Sequence, residues 1–505
     1  MDYKNASGHK KRSLVRRTLS GVFWNTLGIG LQGFFTLVTL SILAHILLPE
    51  DFGVVSSAIL FVNFTLIFVY LGMGAALIHY QDISQDTINT AFTVVMILSI
   101  LVFGFVQVLA PEISRLLIQK DISQLLRWLS ICIILQGAGI IPESLIRKEL
   151  DFRAVAGVKG IGFMVYSGVA ICLALLGQGY WSLVYGHIAK FLIITPGYFI
   201  ICRRRFCPRI SFEELGSLLR FGGGFSLARV GNFAAGYGDN YIVIRFLGLS
   251  MFGIYEKAYQ LMSMPANFVG QILDDVFFPS MATVQEDSKK LSRAYTRGLT
   301  VVGIMIIPLS SVCFVLSDEL VNVLLGEQWQ ETILPLRILS SGMYFRSAYK
   351  ISDSLARATG AVYRRALLQW GFAFLIITGS VIGTSYGLEG IALAVVFALT
   401  ANYIFMAGLC LKIIQMKWLD ILKTLAPGLC LGLFCLLFTF AVQELLQHVF
   451  GAGPIVRLAI ILPLVFTISA FLCHVAETRL KNEDFKWFNE NILIRGLRKL
   501  HLAHT

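Results

Sequence analysis

The sequence predicts an all-α polytopic membrane protein with fourteen transmembrane helices, arranged as two six-helix lobes plus a C-terminal helix pair. Three observations predict this fold class: an apolar composition, a series of long apolar segments, and the placement of Lys and Arg between them. Hydrophobic residues make up 56% of 505 and charged residues 14%, with a mean hydropathy of +0.74. A soluble domain carries roughly 25% charged residues, so this chain cannot cover itself with polar surface in water.

Fourteen apolar segments are long enough to cross a bilayer, which takes about 20 helical residues. The predicted spans are residues 19–47, 52–78, 88–110, 122–146, 154–177, 179–202, 217–247, 251–280, 298–316, 331–359, 366–385, 387–411, 424–443 and 455–477. The connections between them are short. They leave no room for the large soluble domain in which a membrane glycosyltransferase usually carries its chemistry, or for the ectodomain of a receptor.

Basic residues occur mainly in every second connection. The two tails and the connections on their side contain 28 Lys and Arg, whereas the opposite connections contain Arg115 and Lys120. Positive residues are retained on the cytoplasmic side of a membrane, so we expect a multi-pass protein of the bacterial inner membrane with both termini cytoplasmic. The net charge of +12 then reflects cytoplasmic loops and anionic lipids rather than nucleic acid. We expect residues 1–18 to form a basic tail, not a cleaved signal.

The chain resembles itself at a spacing of 200–210 residues. Phe52-Gly53-Val54 corresponds to Phe252-Gly253-Ile254, and Leu126-Arg127 corresponds to Leu336-Arg337. Six spans is an even number, so two copies run through the membrane in the same direction, as in carriers built from parallel repeats. The predicted divisions are a tail at 1–18, an N-lobe at 19–205, a C-lobe at 206–415, a helix pair at 416–477 and an amphipathic cytoplasmic tail at 478–505.

Charged and amide side chains inside spans indicate where a cavity lies, because they are costly in lipid. Arg346, Lys350 and Asp353 recur on one helical face. Cations suit an anionic group, and we predict that it is bound by Arg229, Arg346, Lys350 and Lys190. Amides on neighbouring faces are predicted to line the cavity and contact sugar: Asn25, Gln32, Asn63, Asn232, Asn240, Gln260, Asn267 and Gln271. The alternative is that these charges only join helices.

Four carboxylates within the spans are candidates for ion coupling: Asp239, Glu256, Asp274 and Asp353. A buried acid can bind H⁺ or Na⁺ and so couple transport to an ion gradient. The alternative is that they only balance the charge of the bases.

The sequence contains no catalytic, ATP-binding or metal-binding motif, and its cysteines are scattered through the spans. We therefore expect a transporter and not an enzyme, with no catalytic residue, no metal and no cofactor apart from a coupling H⁺ or Na⁺. Transport would then be driven by an ion gradient or be passive.

Several ordered motifs carry a family resemblance: Leu47–Gly53, Leu71–Ile78, Ile146–Phe152, Tyr255–Tyr259 and Leu325–Trp329. With them the chain resembles the Wzx-type polysaccharide exporters and lipid-linked oligosaccharide flippases of the multidrug/oligosaccharidyl-lipid/polysaccharide superfamily, in particular the branch similar to colanic acid exporters. The resemblance covers about residues 19–415. It is carried by the set of motifs and not by any one of them.

The resemblance implies alternating access and a substrate, an undecaprenyl-pyrophosphate-linked oligosaccharide that is turned from the cytoplasmic to the outer leaflet during exopolysaccharide or surface-glycan assembly. The predicted cations would then bind the pyrophosphate. The polymerase and chain-length machinery of the same pathway are candidate partners. Three alternatives are a drug or organic-cation antiporter of the same superfamily, a membrane glycan polymerase, and an assembly scaffold that transports nothing. A net positive cavity disfavours the first, and short outer connections disfavour the second.

Overall fold

The computed structural model of the protein describes residues 30, 32–80, 83–116 and 122–480, with side chains throughout except at 219–228, 271–276, 278–280, 362 and 473–480. The secondary structure within these ranges is helical, with no strand. Asn25 and the two predicted tails, apart from residues 478–480 of the second, lie outside the described residues. So do the side chains of Gln271 and Asp274.

In the described part of the chain, nine helices precede the loop at residue 248. They are α1 (Gln32–Ile46), α2 (Pro49–Tyr70), α3 (Met73–His79), α4 (Gln85–Leu116), α5 (Ile122–Leu129), α6 (Ile131–Lys148), α7 (Phe152–Leu175), α8 (Trp181–Cys202) and α9 (Phe212–Leu247).

The helices that follow include two short 3₁₀ turns, at Glu327–Thr332 and Thr384–Tyr386. The α-helices are α10 (Leu249–Thr283), α11 (Ser288–Val315), α12 (Ser317–Leu324), α13 (Ile333–Ser340), α14 (Met343–Ala358), α15 (Val362–Gly383), α16 (Gly387–Ile414), α17 (Trp418–His448) and α18 (Pro454–Leu480).

Aspartates define several helix starts. Asp151 and Asp287 accept hydrogen bonds from backbone amides in the first turns of α7 and α11, at 3.0 and 3.1 Å. These amides have no partner within the helix itself, so a side-chain acceptor stabilises the first turn. The same amide bonds, together with the nearby Lys290, lower the pKa of Asp287, which lies in the solvent-exposed connection before α11.

Within the described residues, each of the fourteen predicted spans overlaps a helix, and three of the spans are interrupted. Span 52–78 breaks between α2 and α3, where Leu71 and Gly72 have φ of 37° and 67°. Span 122–146 breaks after α5, and span 331–359 breaks between α13 and α14. The breaks were not predicted, because apolar periodicity continues through them. The breaks that follow α5 and α13 occupy corresponding positions of the internal repeat.

Within the described residues, nine helical stretches are long and apolar enough to cross a membrane; one of them, Tyr363–Ile414, contains both α15 and α16. The count of fourteen crossings therefore stays a prediction, while a multi-pass, all-helical membrane protein is confirmed. The described side chains of α9 and α10 do not form a stretch apolar enough to be among the nine. Helices this polar are stable in a membrane only where they face protein or water.

The chain separates into two compact units, with the division between Glu256 and Lys257 inside α10. In the first unit, α2 and α6 are mostly buried, whereas α4 and α7 expose apolar side chains along their length. The helix α7 packs along α8, and α6 packs against α8 as well. The lobe boundary at residue 205, which follows from the internal repeat, stays a prediction.

In the second unit, α11 is the buried central helix and packs along α17, while α15 packs along α16. The helices α17 and α18 expose most of their apolar surface, as expected of lipid-facing helices. Leu458 and Ile461 of α18 pack with Val312 and Leu316 at the end of α11. The C-terminal helix pair is therefore a packed part of this unit.

Candidate functional site

The second unit places its charged side chains on α14, where Arg346, Lys350, Asp353 and Arg357 recur at helical spacing. Arg346 donates a hydrogen bond to the Tyr259 hydroxyl, and its guanidinium lies 5.1 Å from the centre of that ring. The Arg346 Nε is buried without a hydrogen-bond partner, and no described carboxylate lies at ion-pair distance. This arginine is thus set against an aromatic ring with its charge not neutralised by any described residue.

Lys350 lies one turn further along α14 and reaches toward α10. Its ammonium is 3.4 Å from Asn267 Oδ1, and its side chain crosses the backbone of Gly270. A Cβ at Gly270 would stand 2.9 Å from the Lys350 Nζ, so the glycine provides the space through which this cation extends. The structure therefore brings together Lys350 and Asn267, which the sequence analysis selected separately, and Gly270, which it did not select.

Asp353 is surrounded by cations. Arg357 Nε lies 3.0 Å from Asp353 Oδ2, Arg365 of α15 forms an ion pair with both oxygens, and the Tyr349 hydroxyl contacts Oδ1 at 3.3 Å. The carboxylate is nearly buried. In this arrangement Asp353 balances the charge of two arginines, and its role in ion coupling stays a prediction.

The first unit contains a second charged cluster, on α6 and α7. Glu143 Oε1 accepts hydrogen bonds from Arg147 Nε and Nη2 at 2.9 and 2.8 Å, and from Lys159 Nζ at 2.8 Å. We refer to Glu143, Arg147 and Lys159 as the Glu143 triad. One acid between two bases leaves the triad with an excess of one positive charge.

Two of the predicted cations lie around this triad. Arg229 of α9 is 5.8 Å from the centre of the Tyr70 ring, and Tyr70 interacts electrostatically with Glu143 as well. The half-buried Lys190 lies 5.2 Å from the centre of the Phe191 ring and is repelled by Lys159. The first unit therefore gathers four basic residues and one acid.

The two acids of the first unit that were predicted for ion coupling, Asp239 and Glu256, accept hydrogen bonds from hydroxyl groups. Asp239 is buried, and its Oδ2 accepts from the Tyr255 hydroxyl at 2.7 Å. Glu256 Oε2 accepts from Ser56 Oγ at 3.2 Å. Both acids remain candidates for binding a coupling ion.

The predicted amides are spread over several helices. Gln32, Asn63 and Asn232 are exposed, whereas Asn240, Gln260 and Asn267 are half-buried. Gln260 accepts a hydrogen bond from Lys257 at 3.2 Å, and Asn267 contacts Lys350. Only Asn267 is thus joined to one of the predicted phosphate ligands among the described side chains, and the assignment of the amides to sugar stays a prediction.

Sequence reasoning missed Glu143, Lys159 and Arg365, and it treated Arg147 only as a determinant of topology. A signal was present. The pentapeptides Glu143–Arg147 and Asp353–Arg357 read Glu-Ser-Leu-Ile-Arg and Asp-Ser-Leu-Ala-Arg, 210 positions apart. This is the spacing of the internal repeat, and in both copies the acid pairs with the arginine one turn later.

Comparison with known proteins finds similarity to proteins of polysaccharide biosynthesis. The family model described as "Polysaccharide biosynthesis protein" matches residues 42–334, more than half of the chain. The succinoglycan biosynthesis transport protein ExoT of Rhizobium meliloti is 28% identical over 82% of this chain and 83% of its own length. The lipopolysaccharide biosynthesis protein WzxC of Escherichia coli K12 is 25% identical over 74% of this chain and 76% of its own length.

Solved structures share the fold. The lipid II flippase MurJ in an inward closed conformation superposes with a TM-score of 0.73, at 15% identity, over 90% of this chain and 99% of MurJ. An inward-facing multidrug MATE transporter of the MOP superfamily superposes with a TM-score of 0.61, at 16% identity, over 76% of this chain and 94% of its own. The resemblance drawn from the motifs is thereby confirmed, and the chain belongs to the polysaccharide biosynthesis protein family.

Proposed function

We propose that this protein is a flippase that moves an undecaprenyl-pyrophosphate-linked oligosaccharide from the cytoplasmic to the outer leaflet of the bacterial inner membrane, for exopolysaccharide or surface-glycan assembly. Membership of the family, the names of the two relatives and the shared fold with a lipid II flippase support a transporter rather than an enzyme. Three parts of the proposal go beyond this support: the pyrophosphate carrier lipid, the direction of movement and the bacterial inner membrane as its location.

The observation that carries this proposal is the environment of Arg346. An arginine in a membrane-spanning helix is costly unless its charge is compensated. Arg346 has an aromatic neighbour and a buried Nε without a partner, and no described carboxylate compensates it. A purely structural helix contact would more often use small residues or a paired charge. We infer that the missing compensating group is an oxygen of the substrate pyrophosphate.

The other predicted cations serve the same group in this proposal. Lys350 lies on the same face of α14 as Arg346, one turn away, so both can contact neighbouring phosphate oxygens. Arg229 and Lys190 add positive charge within the first unit. The predicted amides suit sugar hydroxyls, which both donate and accept hydrogen bonds.

An ion gradient would drive the cycle in this proposal. Asp239 is the best placed of the candidate acids, because it is buried and accepts a short hydrogen bond from Tyr255. Binding of H⁺ or Na⁺ would neutralise it, and this lowers the cost of a buried carboxylate. Glu256, Asp274 and Asp353 remain further candidates for this role.

A drug or organic-cation antiporter shares this fold and is the main alternative. A site for organic cations requires acidic side chains and aromatic walls. The charged clusters of both units instead contain more bases than acids among the described residues. We therefore favour an anionic cargo, and we propose the polymerase and chain-length proteins of the same pathway as partners downstream.

Replacement of Arg346 tests the proposal. We expect Arg346→Ala to reduce polymer export at least tenfold, because it removes a charge that compensates phosphate, while Arg346→Lys retains part of the export. Export is measured as secreted polymer in a strain that lacks its own flippase. Arg293→Ala is the matched control, since this arginine is exposed on α11 of the same unit.

Membrane content of each variant is measured by immunoblot, so that loss of export is separated from loss of protein. Normal secretion by Arg346→Ala at normal membrane content would overturn the role of Arg346. Accumulation of a lipid-linked sugar in the Arg346→Ala strain would identify the cargo.

A further inference from the structure

The two charged clusters repeat one arrangement. In the first unit Glu143 pairs with Arg147 on α6 and with Lys159 on α7; in the second unit Asp353 pairs with Arg357 on α14 and with Arg365 on α15. The acid and the arginine of each copy correspond in the repeat. The second cation does not, because Lys159 corresponds to Gln369 and not to Arg365. The second cation of each cluster therefore comes from a different position along the next helix, which is α7 in the first unit and α15 in the second.

The geometry at Glu143 is that of an anion site with an occupant. A single carboxylate oxygen, Oε1, receives three N–H donors, two from Arg147 and one from Lys159. Arginine and lysine bind one phosphate oxygen with the same donors and at the same distances of about 2.7–2.9 Å. Glu143 thus stands where a phosphate oxygen would bind.

Burial distinguishes the acid from the bases. The Glu143 side chain is 17% exposed, whereas those of Arg147 and Lys159 are 36% and 39% exposed. A ligand can therefore reach both cations while the carboxylate lies beneath them. A site that exchanges one anion for another needs donors that both anions can share, and Arg147 and Lys159 are such donors.

The triad also lies near one end of each of its two helices. Glu143 is five residues before the end of α6 at Lys148, and Lys159 is seven residues after the start of α7. At 1.5 Å per residue these positions are about 8–11 Å from the helix ends. On the predicted orientation this is the cytoplasmic end, the side on which a lipid-linked sugar is made.

We propose that Glu143 is a substitute anion, which occupies the phosphate-binding donors of Arg147 and Lys159 in the empty carrier and is displaced by a phosphate group of the arriving substrate. The inference rests on the proposed function, and it names the residues that first receive the pyrophosphate.

A substitute anion has a physical advantage for a carrier. Two cations without a partner would be costly in the membrane and would bind any small anion tightly. With the carboxylate in place, the substrate exchanges one anion for another, and the net gain on binding is small. Transport requires such moderate binding, because a group that binds too tightly is not released on the other side.

The test is the affinity of the purified protein for inorganic pyrophosphate, measured by calorimetry in detergent. We expect Glu143→Gln to bind pyrophosphate about tenfold more tightly than the wild type, because the competing charge is removed. Arg147→Ala and Lys159→Ala should each bind about tenfold more weakly, because each loses one of the shared donors. Glu143→Asp should fall between wild type and Glu143→Gln, because its shorter side chain keeps the charge but reaches the donors less well.

The matched control is Glu112→Gln, which removes an acid from the exposed pair with Arg115 and should leave the affinity unchanged. Unchanged or weaker pyrophosphate binding by both Glu143→Gln and Glu143→Asp would overturn the inference and indicate a structural ion pair. The double variant Glu143→Gln/Arg147→Ala should lose the gain of the single variant; a gain that persists would equally overturn it.

An export assay separates the failure of this inference from the failure of the proposed function. If the wild-type chain does not restore polymer secretion in a strain without a flippase, the proposed function fails. If the wild type restores secretion but Glu143→Gln shows no gain in pyrophosphate affinity, only the role of Glu143 fails. We expect Glu143→Gln to secrete less polymer despite binding pyrophosphate more tightly, because release is slowed.

Discussion

Buried charged side chains in this protein differ in whether a described residue of opposite charge lies at ion-pair distance. Glu319 of α12 is 1% exposed and pairs with Arg457 of α18 at 2.7 Å; Gln443 of α17 donates to the same carboxylate at 2.9 Å. This ion pair joins the C-terminal helix pair to the rest of the second unit. Arg346, by contrast, has no described carboxylate at ion-pair distance. We attribute a structural role to Arg457, whereas Arg346 binds substrate in the proposed function.

Removal of Arg457 tests the structural role. Arg457→Ala leaves Glu319 buried without its cation, and breaking a buried ion pair in this way costs about 3–5 kcal/mol. We expect a clear fall in the thermal unfolding midpoint of the purified protein. The control is Arg115→Ala, whose ion pair with Glu112 is largely exposed and should contribute about 0–1 kcal/mol. Equal midpoints for the two variants would contradict the assignment.

Helix contacts in the first unit depend on two glycines of the internal repeat. Gly53 of α2 and Gly253 of α10 are 200 positions apart, and each faces the backbone of the other helix. A Cβ at Gly53 would overlap the Leu249 carbonyl oxygen, and a Cβ at Gly253 would overlap the Pro49 carbonyl oxygen. The crossing is therefore symmetric in the repeat and requires the absence of a side chain at both positions.

Alanine at either glycine tests this crossing. Gly253→Ala forces a methyl group against a backbone carbonyl that cannot rotate away, and overpacking of this kind costs about 1–3 kcal/mol. We expect a lower unfolding midpoint and reduced export. Gly104→Ala on α4 is the control, because its Cβ would meet nothing within 4 Å and alanine favours helix. A midpoint for Gly253→Ala at or above that of Gly104→Ala would exclude the close crossing.

Another element, the segment from Arg203 to Ser211, is held in place although it forms no helix. Its backbone groups bond to side chains of α4: Arg205 to Gln85, Cys207 to Asn89, Arg209 to Thr93 and Ser211 to Thr90. The sequence showed only a basic connection here. Its path along α4 follows from hydrogen bonds between residues about 120 positions apart, which no local pattern reveals.

At the scale of the whole molecule, the orientation in the membrane follows from the distribution of Lys and Arg. We expect Arg115 and Arg205 to lie on opposite sides. In a cysteine-free background, Arg115→Cys in intact spheroplasts should react with a membrane-impermeant maleimide, and Arg205→Cys should react only after permeabilisation. Reaction of both sites in intact cells would contradict the predicted topology, in which Arg205 lies on the cytoplasmic side.

The sequence alone determined the fold class, the approximate helix positions and the family, because these depend on composition, apolar periodicity and short ordered motifs. It also selected Arg346 and Lys350, since a charge inside an apolar segment is visible without any structure. The Glu143 triad was not found, although its pentapeptide repeats at Asp353. Arg147 lies beside a connection that is predicted to be cytoplasmic, where arginine is expected in any case.

Tertiary structure decided which charges meet. Glu143 and Lys159 lie on different helices, and so do Asp353 and Arg365, so their pairing depends on how α6 packs with α7 and α14 with α15. Hydropathy and spacing are properties of the local chain, and they determine only what each helix can present on its surface. The packing of helices brings an acid within reach of a base from another segment, and this proximity determines whether a buried charge is compensated or available to a ligand.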